Sequence, residues 1–352
     1  SRGTLFRMAH KILIVCQSIN PDLRQLYEIK RRLRGTSIVF GDDDALGMRF
    51  APQPNRASAL FRLDNWLAIA HNLRRVRANG ITHVLFDDAS PLYLAYGVFL
   101  RLLGVGMIYT IHDQRAHNGR GAFAVNLYVW MVSRWFADEI VVFSRCQLTT
   151  RAKVHTVWLG GYDGERGEPD MPDNAGLQVL LFGRIREYKG YEHLATIAER
   201  TACLPIRYRV IGAGEEKLLR PLAAHANITI ENRHVAEHEL RGVFAAADIN
   251  LLPYSSGTQS GVALLAASFG VPTLAFDVGA LKAYIDHGIG QTVPAFDHDG
   301  MARALREALH LGKEERAAAR RATRAAYDRH FSSDAMCKDY AKLLHPLLGM
   351  EP

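Results

Sequence analysis

Two cations and the start of an apolar helix set out the chemistry available to this sequence. The run Gly183-Arg184-Ile185-Arg186-Glu187-Tyr188-Lys189-Gly190 follows directly on Gln178–Phe182, an apolar stretch that reads as a strand. A glycine after a strand lets the backbone turn tightly. Arg184 and Lys189 then stand at the strand's carboxyl end, where a guanidinium fork and a compact ammonium suit the oxygens of a diphosphate. Taken alone, the pair reads equally well as solvated loop cations. The second stretch, Pro253-Tyr254-Ser255-Ser256-Gly257-Thr258-Gln259-Ser260-Gly261-Val262, leads into the helical run Ala263–Phe269. Free N–H groups and the positive dipole end of a helix suit an anion there, although Thr258 or Ser260 would also serve as an ordinary N-cap. In the first half, Met107–Ile111 runs into His112-Asp113, a histidine and a carboxylate of the types that move protons. Asp42-Asp43-Asp44 and Asp87-Asp88 each follow a strand. The triple could hold Mg or Mn, but it heads a polar loop and is read as solvated. Asp87-Asp88 is read as lining an acceptor site or capping the helix that begins near Pro91.

The elements that must position these groups alternate short β-rich runs with longer helical patterns, which argues for α/β units with parallel sheets. The first-half strands are expected at Lys11–Val15, Thr36–Phe40, His83–Phe86, Met107–Ile111 and Glu139–Phe143, with helices over Leu23–Leu33, Leu60–Ala78, Leu92–Leu103 and Phe123–Phe136. The second-half strands are expected at Gln178–Phe182, Tyr208–Ile211, Ile228–Ile230, Ile249–Pro253 and Thr273–Phe276, with helices dominating from Gly300. The 352 residues suit two domains of about 150–200 each. The expected boundaries are 8–160, a Gly/Pro/Asp-rich linker 161–176, a second domain 177–333, and a final helix 334–352 returning to the first domain.

Charge is uneven. The net +7 splits into about +10 over residues 1–160, with 21 Lys/Arg against 11 Asp/Glu, and about −3 over the remainder. A basic first half suits an anionic membrane surface or an acidic substrate. No helix-turn-helix, zinc-finger or RNA-recognition pattern is present, so nucleic acid is set aside. The arginines at 31, 32, 34, 74, 75 and 77, with Lys30, could face anionic lipid. The aromatic run Phe123–Phe136, flanked by Arg120 and Arg134, is read as a buried core helix because its apolar residues encircle it; docking at an interface is the other reading. No apolar run reaches the roughly 18–20 residues that span a bilayer. Ser1 to Arg7 lack the apolar segment of a signal peptide, and Met8 is read as the native start. The four scattered cysteines are read as buried free thiols, which suggests the cytoplasm.

Taken in order, the stretches FGRIREYKGYEHL, YRVIGAGE, ITIENRHVAEHELRGVFAAADINLLPY, TQSGVALLAASFGVPTLAFDVGALKAYI and YDRHFS resemble family-4 glycosyltransferases of the GT-B architecture. The resemblance implies two Rossmann-like doubly wound domains facing across a cleft, and a nucleotide-diphosphate sugar as donor. It assigns the donor diphosphate to Gly183, Arg184 and Lys189, with Gly212 nearby and Ser260, Gly261 and Val262 against the phosphates. It sets Asn232 and Arg233 near the nucleotide base and His112 beside the donor sugar. It also implies retention of anomeric configuration, with neither metal nor cofactor beyond the donor, and a glycan or lipid-linked acceptor. One departure stands out: many members carry two glutamates eight positions apart around this loop, whereas Ser255 to Ala266 holds no carboxylate. Ser256, Gly257 and Thr258 are the substitutes at hand, and Gln259 is counted with them as donor-binding. An inverting transferase with Asp113 as base, a nucleotide-sugar epimerase and a non-catalytic sugar-binding subunit remain as alternatives. A nicotinamide dehydrogenase is excluded, because Cys16-Gln17-Ser18-Ile19-Asn20-Pro21 lacks the Gly-x-Gly-x-x-Gly turn after the first strand.

Overall fold

A computed structural model describes residues 10–18, 21–50, 57–112, 122–144, 148–162, 176–257 and 260–350. The chain forms two compact units, residues 1–158 with 336–352, and residues 159–335.

In the first unit, short apolar runs assemble into a six-stranded parallel sheet: β1 (Ile12–Val15), β2 (Ile38–Phe40), β3 (His83–Phe86), β4 (Gly106–Ile111), β5 (Glu139–Val142) and β6 (Lys153–Thr156). The order is β2-β1-β3-β4-β5-β6, with Ile12 opposite both Ile38 and His83. Interior strands of such a sheet are covered on both faces, which is why β1 is an unbroken ILIV run buried at every position. The helices are α1 (Pro21–Lys30), α2 (Leu63–Ala78), α3 (Pro91–Leu102) and α4 (Ala122–Met131), the last continuing into a wider π-type turn, Val132–Phe136. Ile69 and Val76 of α2, with Tyr93, Tyr96 and Leu100 of α3, pack on Val84, Phe86, Met107 and Tyr109 as the core of this face.

The second unit holds β7 (Leu177–Phe182), β8 (Ile206–Ile211), β9 (Ile228–Glu231), β10 (Ile249–Leu252), β11 (Thr273–Phe276) and β12 (Gly290–Val293). Its order, β12-β11-β10-β7-β8-β9, is the 3-2-1-4-5-6 arrangement of dinucleotide-binding sheets run from the other edge. Its helices are α5 (Tyr191–Arg200), α6 (Leu240–Ala245), α7 (Gly261–Ser268), α8 (Leu281–Ile285), α9 (His298–His310) and α10 (Lys313–His330). A final helix, α11 (Ser333–Leu347), carries residues 336–347 into the first unit. There Tyr340 lies under the Lys30 ammonium, 4.7 Å from the ring centroid, and the Cys337 thiol meets the Ile29 carbonyl.

Several expectations change on contact with the structure. The sequence reading missed β6 and β12. Both are edge strands, KVHT and GQTV, largely exposed and without the apolar run that marks a covered strand. The Phe123–Phe136 segment is not a core helix: Phe123, Val125, Leu127, Trp130 and Trp135 are exposed. The loop Asp42-Asp43-Asp44 is not simply solvated. Arg31 bonds Asp42 at 2.5 Å and Asp43 at 3.4 Å, Arg34 pairs with Asp43, and Tyr27 donates to Asp42 at 2.8 Å. Burial alone would raise the Asp42 pKa, but hydrogen bonds from Tyr27 and Arg31 hold it below the ordinary range. The cap of α3 is Ser90, whose Oγ accepts from Leu92 N–H, rather than either neighbouring aspartate. Cys16 and Cys337 are buried free thiols, but Cys203 is exposed, and Cys146 lies outside the described residues.

Candidate functional site

In the second unit the chain leaves β7 toward β8 on one side and returns as β10 on the other. The point where strand order reverses therefore lies between β7 and β10, and in open α/β sheets ligands bind at the carboxyl ends there. The two chemical stretches of the sequence meet at this place. Gly183 follows β7 with φ +100°, and its N–H donates to the Ile211 carbonyl at 2.9 Å. A Cβ on Gly183 would stand 3.2 Å from Val262 and 3.3 Å from the Lys189 ammonium, and a Cβ on Gly212 would overlap the Gly183 carbonyl. Gly183 is thus held to glycine by its positive φ, and Gly212 by close backbone approach. Ser255 N–H donates to the Tyr188 carbonyl at 2.8 Å, and a side chain on Gly190 (φ +72°) would strike the Pro253 carbonyl. The loops after β7 and β10 are therefore stitched into one floor.

Lys189 is the electrostatic centre of that floor. It is only 3% exposed; its ammonium donates to the Phe182 carbonyl at 3.0 Å and to the Tyr254 hydroxyl at 2.9 Å, and lies 5.0 Å from the Tyr254 ring centroid. Both acceptors are neutral. Desolvation lowers the ammonium pKa from 10.5 to about 8. A buried cation of this kind, with no carboxylate bonded to it among the described residues, favours an incoming anion. Arg184 sits exposed on the same loop, with no ion pair among the described residues. α7 begins beside them: Ser260 is its N-cap, with Oγ accepting from Ala263 N–H at 3.4 Å, while Gly261 and Val262 open its first turn. The helix's amino end and Val262 thus face the Gly183 turn.

The remaining sequence-derived positions fall less centrally. The Asn232 side-chain amide accepts from Gly214 N–H at 3.1 Å and donates to the Gly214 carbonyl at 3.2 Å, tying the loop after β9 to the loop after β8. Arg233 is held by Glu231 at 3.2 Å and Glu239 at 2.9 Å. Ser256 is exposed on the loop after β10. Thr258, Gln259 and Asp113 lie outside the described residues. In the first unit, His112 follows β4. Its Nε2 lies 2.8 Å from the Asp87 carbonyl, and its ring is 4.9 Å from Phe143.

Two features escaped the sequence reading. Tyr162 brings its hydroxyl over the start of α7, where a Cβ on Gly261 would come within 2.6 Å of it; its place in a Gly/Asp-rich linker gave no sign of this. At the carboxyl ends of β1 and β3, where the first sheet reverses its order, lies a buried polar cluster. Lys30 and Asp87 form an ion pair at 2.8 Å with side chains 0% and 1% exposed, and Thr110 donates to Asp87 at 3.3 Å. Asp88 accepts from the Tyr93 hydroxyl at 2.5 Å and from Gln17 N–H at 3.2 Å. Burial pushes Asp88 up to about 6 against those hydrogen bonds, and pushes the Cys16 thiol beside it up to about 12.

Comparison with known proteins sets this geometry in a family context. Residues 176–310 match the family model described as Glycosyl transferases group 1. A GDP-mannose:glycolipid 4-beta-D-mannosyltransferase of Xanthomonas campestris pv. campestris is 27% identical over 184 residues, covering 50% of this chain and 51% of that protein. A D-inositol 3-phosphate glycosyltransferase of Pseudarthrobacter chlorophenolicus is 32% identical over 126 residues, 33% of this chain and 30% of that protein. The chain thus spans about half the length, or less, of these curated relatives. Among solved structures, a glycosyltransferase from Rickettsia africae ESF-5 superposes with a TM-score of 0.70 at 14% identity, covering 97% of this chain and 99% of that one. The Anabaena protein HepE, solved with UDP and glucose, gives a TM-score of 0.64 at 16% identity, covering 95% and 99%. At such identities the structural likeness speaks for the fold. The chain therefore has the two-unit α/β fold of GT-B proteins, and residues 176–310 of its second unit are similar to the glycosyl transferases group 1 family.

Proposed function

We propose that the protein is a glycosyltransferase that moves a sugar from a nucleotide-diphosphate donor to a glycan or lipid-linked acceptor. The observation that carries this reading is the floor at the β7–β10 switch point: a buried lysine ammonium whose acceptors among the described residues are neutral, on the same loop as Arg184 and facing the amino end of α7. In the reaction the bond between the anomeric carbon and the diphosphate oxygen breaks, and the electron pair leaves with the diphosphate. In this scheme the charge that develops there is stabilised by Lys189, Arg184 and the α7 N–H groups. The family resemblance favours retention without a metal, the acceptor hydroxyl attacking from the leaving-group face and giving its proton to the departing phosphate oxygen. The resemblance gives His112, whose Nε2 lies 2.8 Å from the Asp87 carbonyl, the role of the histidine beside the donor sugar.

Inversion is the second reading, favoured by two observations. Residues 255–266 hold no carboxylate, and the Xanthomonas relative is named for a β-mannosyl product. From an α-linked donor a β product requires inversion; Asp113 would then take the acceptor proton. The reducing cytoplasm, where free thiols such as Cys16 and Cys337 persist, and the inner face of its membrane are the proposed location.

The test is melting-shift screening against nucleoside diphosphates and their sugars, followed by anomeric NMR of the product. A ligand at about 100 times its Kd adds roughly 2.7 kcal/mol and is readily seen. Loss of the shift in Arg184→Ala supports the reading. No shift with any nucleotide, or sugar interconversion without an acceptor, would overturn it.

A further inference from the structure

The outer layer of the first unit is coated with apolar side chains. The crossovers β2 to β3, β3 to β4 and β4 to β5 all step in one direction along the sheet, so right-handed connections set α2, α3 and α4 side by side on one face. The inward residues of these helices fill the core. Their outward residues should be polar. Instead, Phe61 is 88% exposed just ahead of α2, Leu63 73% within it, Leu102 79% at the end of α3, and Phe123 80% on α4. Contacts join the 57–61 turn to α2 and α3, and α3 to the 132–136 turn, so these residues share one layer. α4, AFAVNLYVWM, contains no charged residue. A helix apolar all round is ordinarily buried, yet Phe123, Val125, Leu127 and Trp130 of this one are exposed. Trp130 and Trp135 meet edge to face at 4.6 Å, each about half exposed (50% and 56%).

We propose that the α2–α3–α4 layer docks on an anionic lipid bilayer, lying in the headgroup region. The charge on the same layer selects this occupant. Arg74, Arg77 and Arg134 are exposed, with no ion pair among the described residues. The first 160 residues carry about +10. A second copy would bring two basic surfaces face to face, whereas anionic headgroups answer the arginines while tryptophan and phenylalanine enter the interface. Among the described residues no helix is long and apolar enough to cross a membrane, so the layer rests on the bilayer rather than spanning it. The inference stands on this surface alone; it also suits the lipid-linked acceptor proposed above.

The experiment is flotation of the full chain with phosphatidylcholine vesicles, with and without phosphatidylglycerol. Nucleotide uptake by the second unit is measured in parallel, so that failure of membrane binding is distinguishable from failure of the sugar-transfer reading. The wild type is expected to float with phosphatidylglycerol and to remain below without it. Reversing Arg74, Arg77 and Arg134 to Glu should lower partitioning on the order of a hundredfold, at about fivefold or more per cation. Trp130→Gln with Trp135→Gln should lower it about tenfold. Phe123→Ser, at a site exposed enough to leave folding unaffected, should act in the same direction. The proposal falls if the wild type floats with neither vesicle, or if all three variants partition like the wild type. It also falls if sedimentation shows a dimer that the tryptophan substitutions dissociate.

Discussion

Lys189→Met is the most informative single perturbation, because stability and ligand binding should respond to it differently. Burial holds the Lys189 ammonium at about 8 rather than 10.5, which at 1.36 kcal/mol per unit destabilises the charged folded state by about 3 kcal/mol. Methionine removes that penalty but leaves the Phe182 carbonyl and Tyr254 hydroxyl without their donor, at about 1–3 kcal/mol each. The opposing effects are of similar size, so the variant should melt close to the wild type at neutral pH. Donor binding has no such compensation. An ammonium about 4 Å from a phosphate charge is worth about 4 kcal/mol at an effective dielectric of 20, or on the order of a thousandfold in affinity. The pH dependence follows from the same shift. A lysine whose folded pKa is depressed binds fewer protons folded than unfolded, so free-protein stability rises between about pH 8 and 10.5 and is lost as pH falls through 8. Donor affinity runs the other way, weakening above about pH 8 as the ammonium deprotonates. Calorimetric titration with UDP and GDP between about pH 7.5 and 9.5 reads the affinity, and calorimetric melting over the same range reads the stability. A pH-independent Kd in the wild type, or unchanged affinity in Lys189→Met, would refute the assignment of this cation to the phosphates.

Other outcomes follow from particular contacts. Gly261→Ala sets a methyl 2.6 Å from the Tyr162 hydroxyl. It should lower stability by about 1–3 kcal/mol in calorimetric melting, and Tyr162→Ala in the same chain should restore most of it. Asp88, raised from 3.8 to about 6, contributes stability that is fully present below pH 3.8 and lost as pH rises through 6. Asp88→Asn should therefore stabilise the protein by up to about 3 kcal/mol at neutral pH, with the gain vanishing below about pH 4 in urea melts followed by circular dichroism. Lys30→Met leaves Asp87 buried and unpaired and should cost about 3–5 kcal/mol; adding Asp87→Asn should recover most of that in the same melts.

The covered strands and the Gly183–Gly190 loop at the end of β7 were legible because their signals are contiguous. ILIV can hardly be anything but a strand covered on both faces, and a Gly-Arg…Lys-Gly run after a strand announces itself locally. What escaped depends on neighbours distant in the chain. Nothing around Lys189 in sequence shows that the Tyr254 ring buries it. The linker residue Tyr162 gives no hint that it lies over Gly261. Nor does the sequence around Asn232 show that its amide ties two loops together through Gly214. β6 and β12 were missed because edge strands lack an apolar run. The opposite error befell α4, whose composition says interior although the fold leaves it outside.

The first unit is also discontinuous, since α11 supplies Tyr340 beneath Lys30 only after residues 159–335 have been made. During synthesis, β1 to β6 can emerge and pair while the buried Lys30–Asp87 cluster still lacks its last wall. The contiguous second unit can close first, so the half that begins the chain finishes folding after the half that follows it, reversing the amino-to-carboxyl order usual for nascent domains.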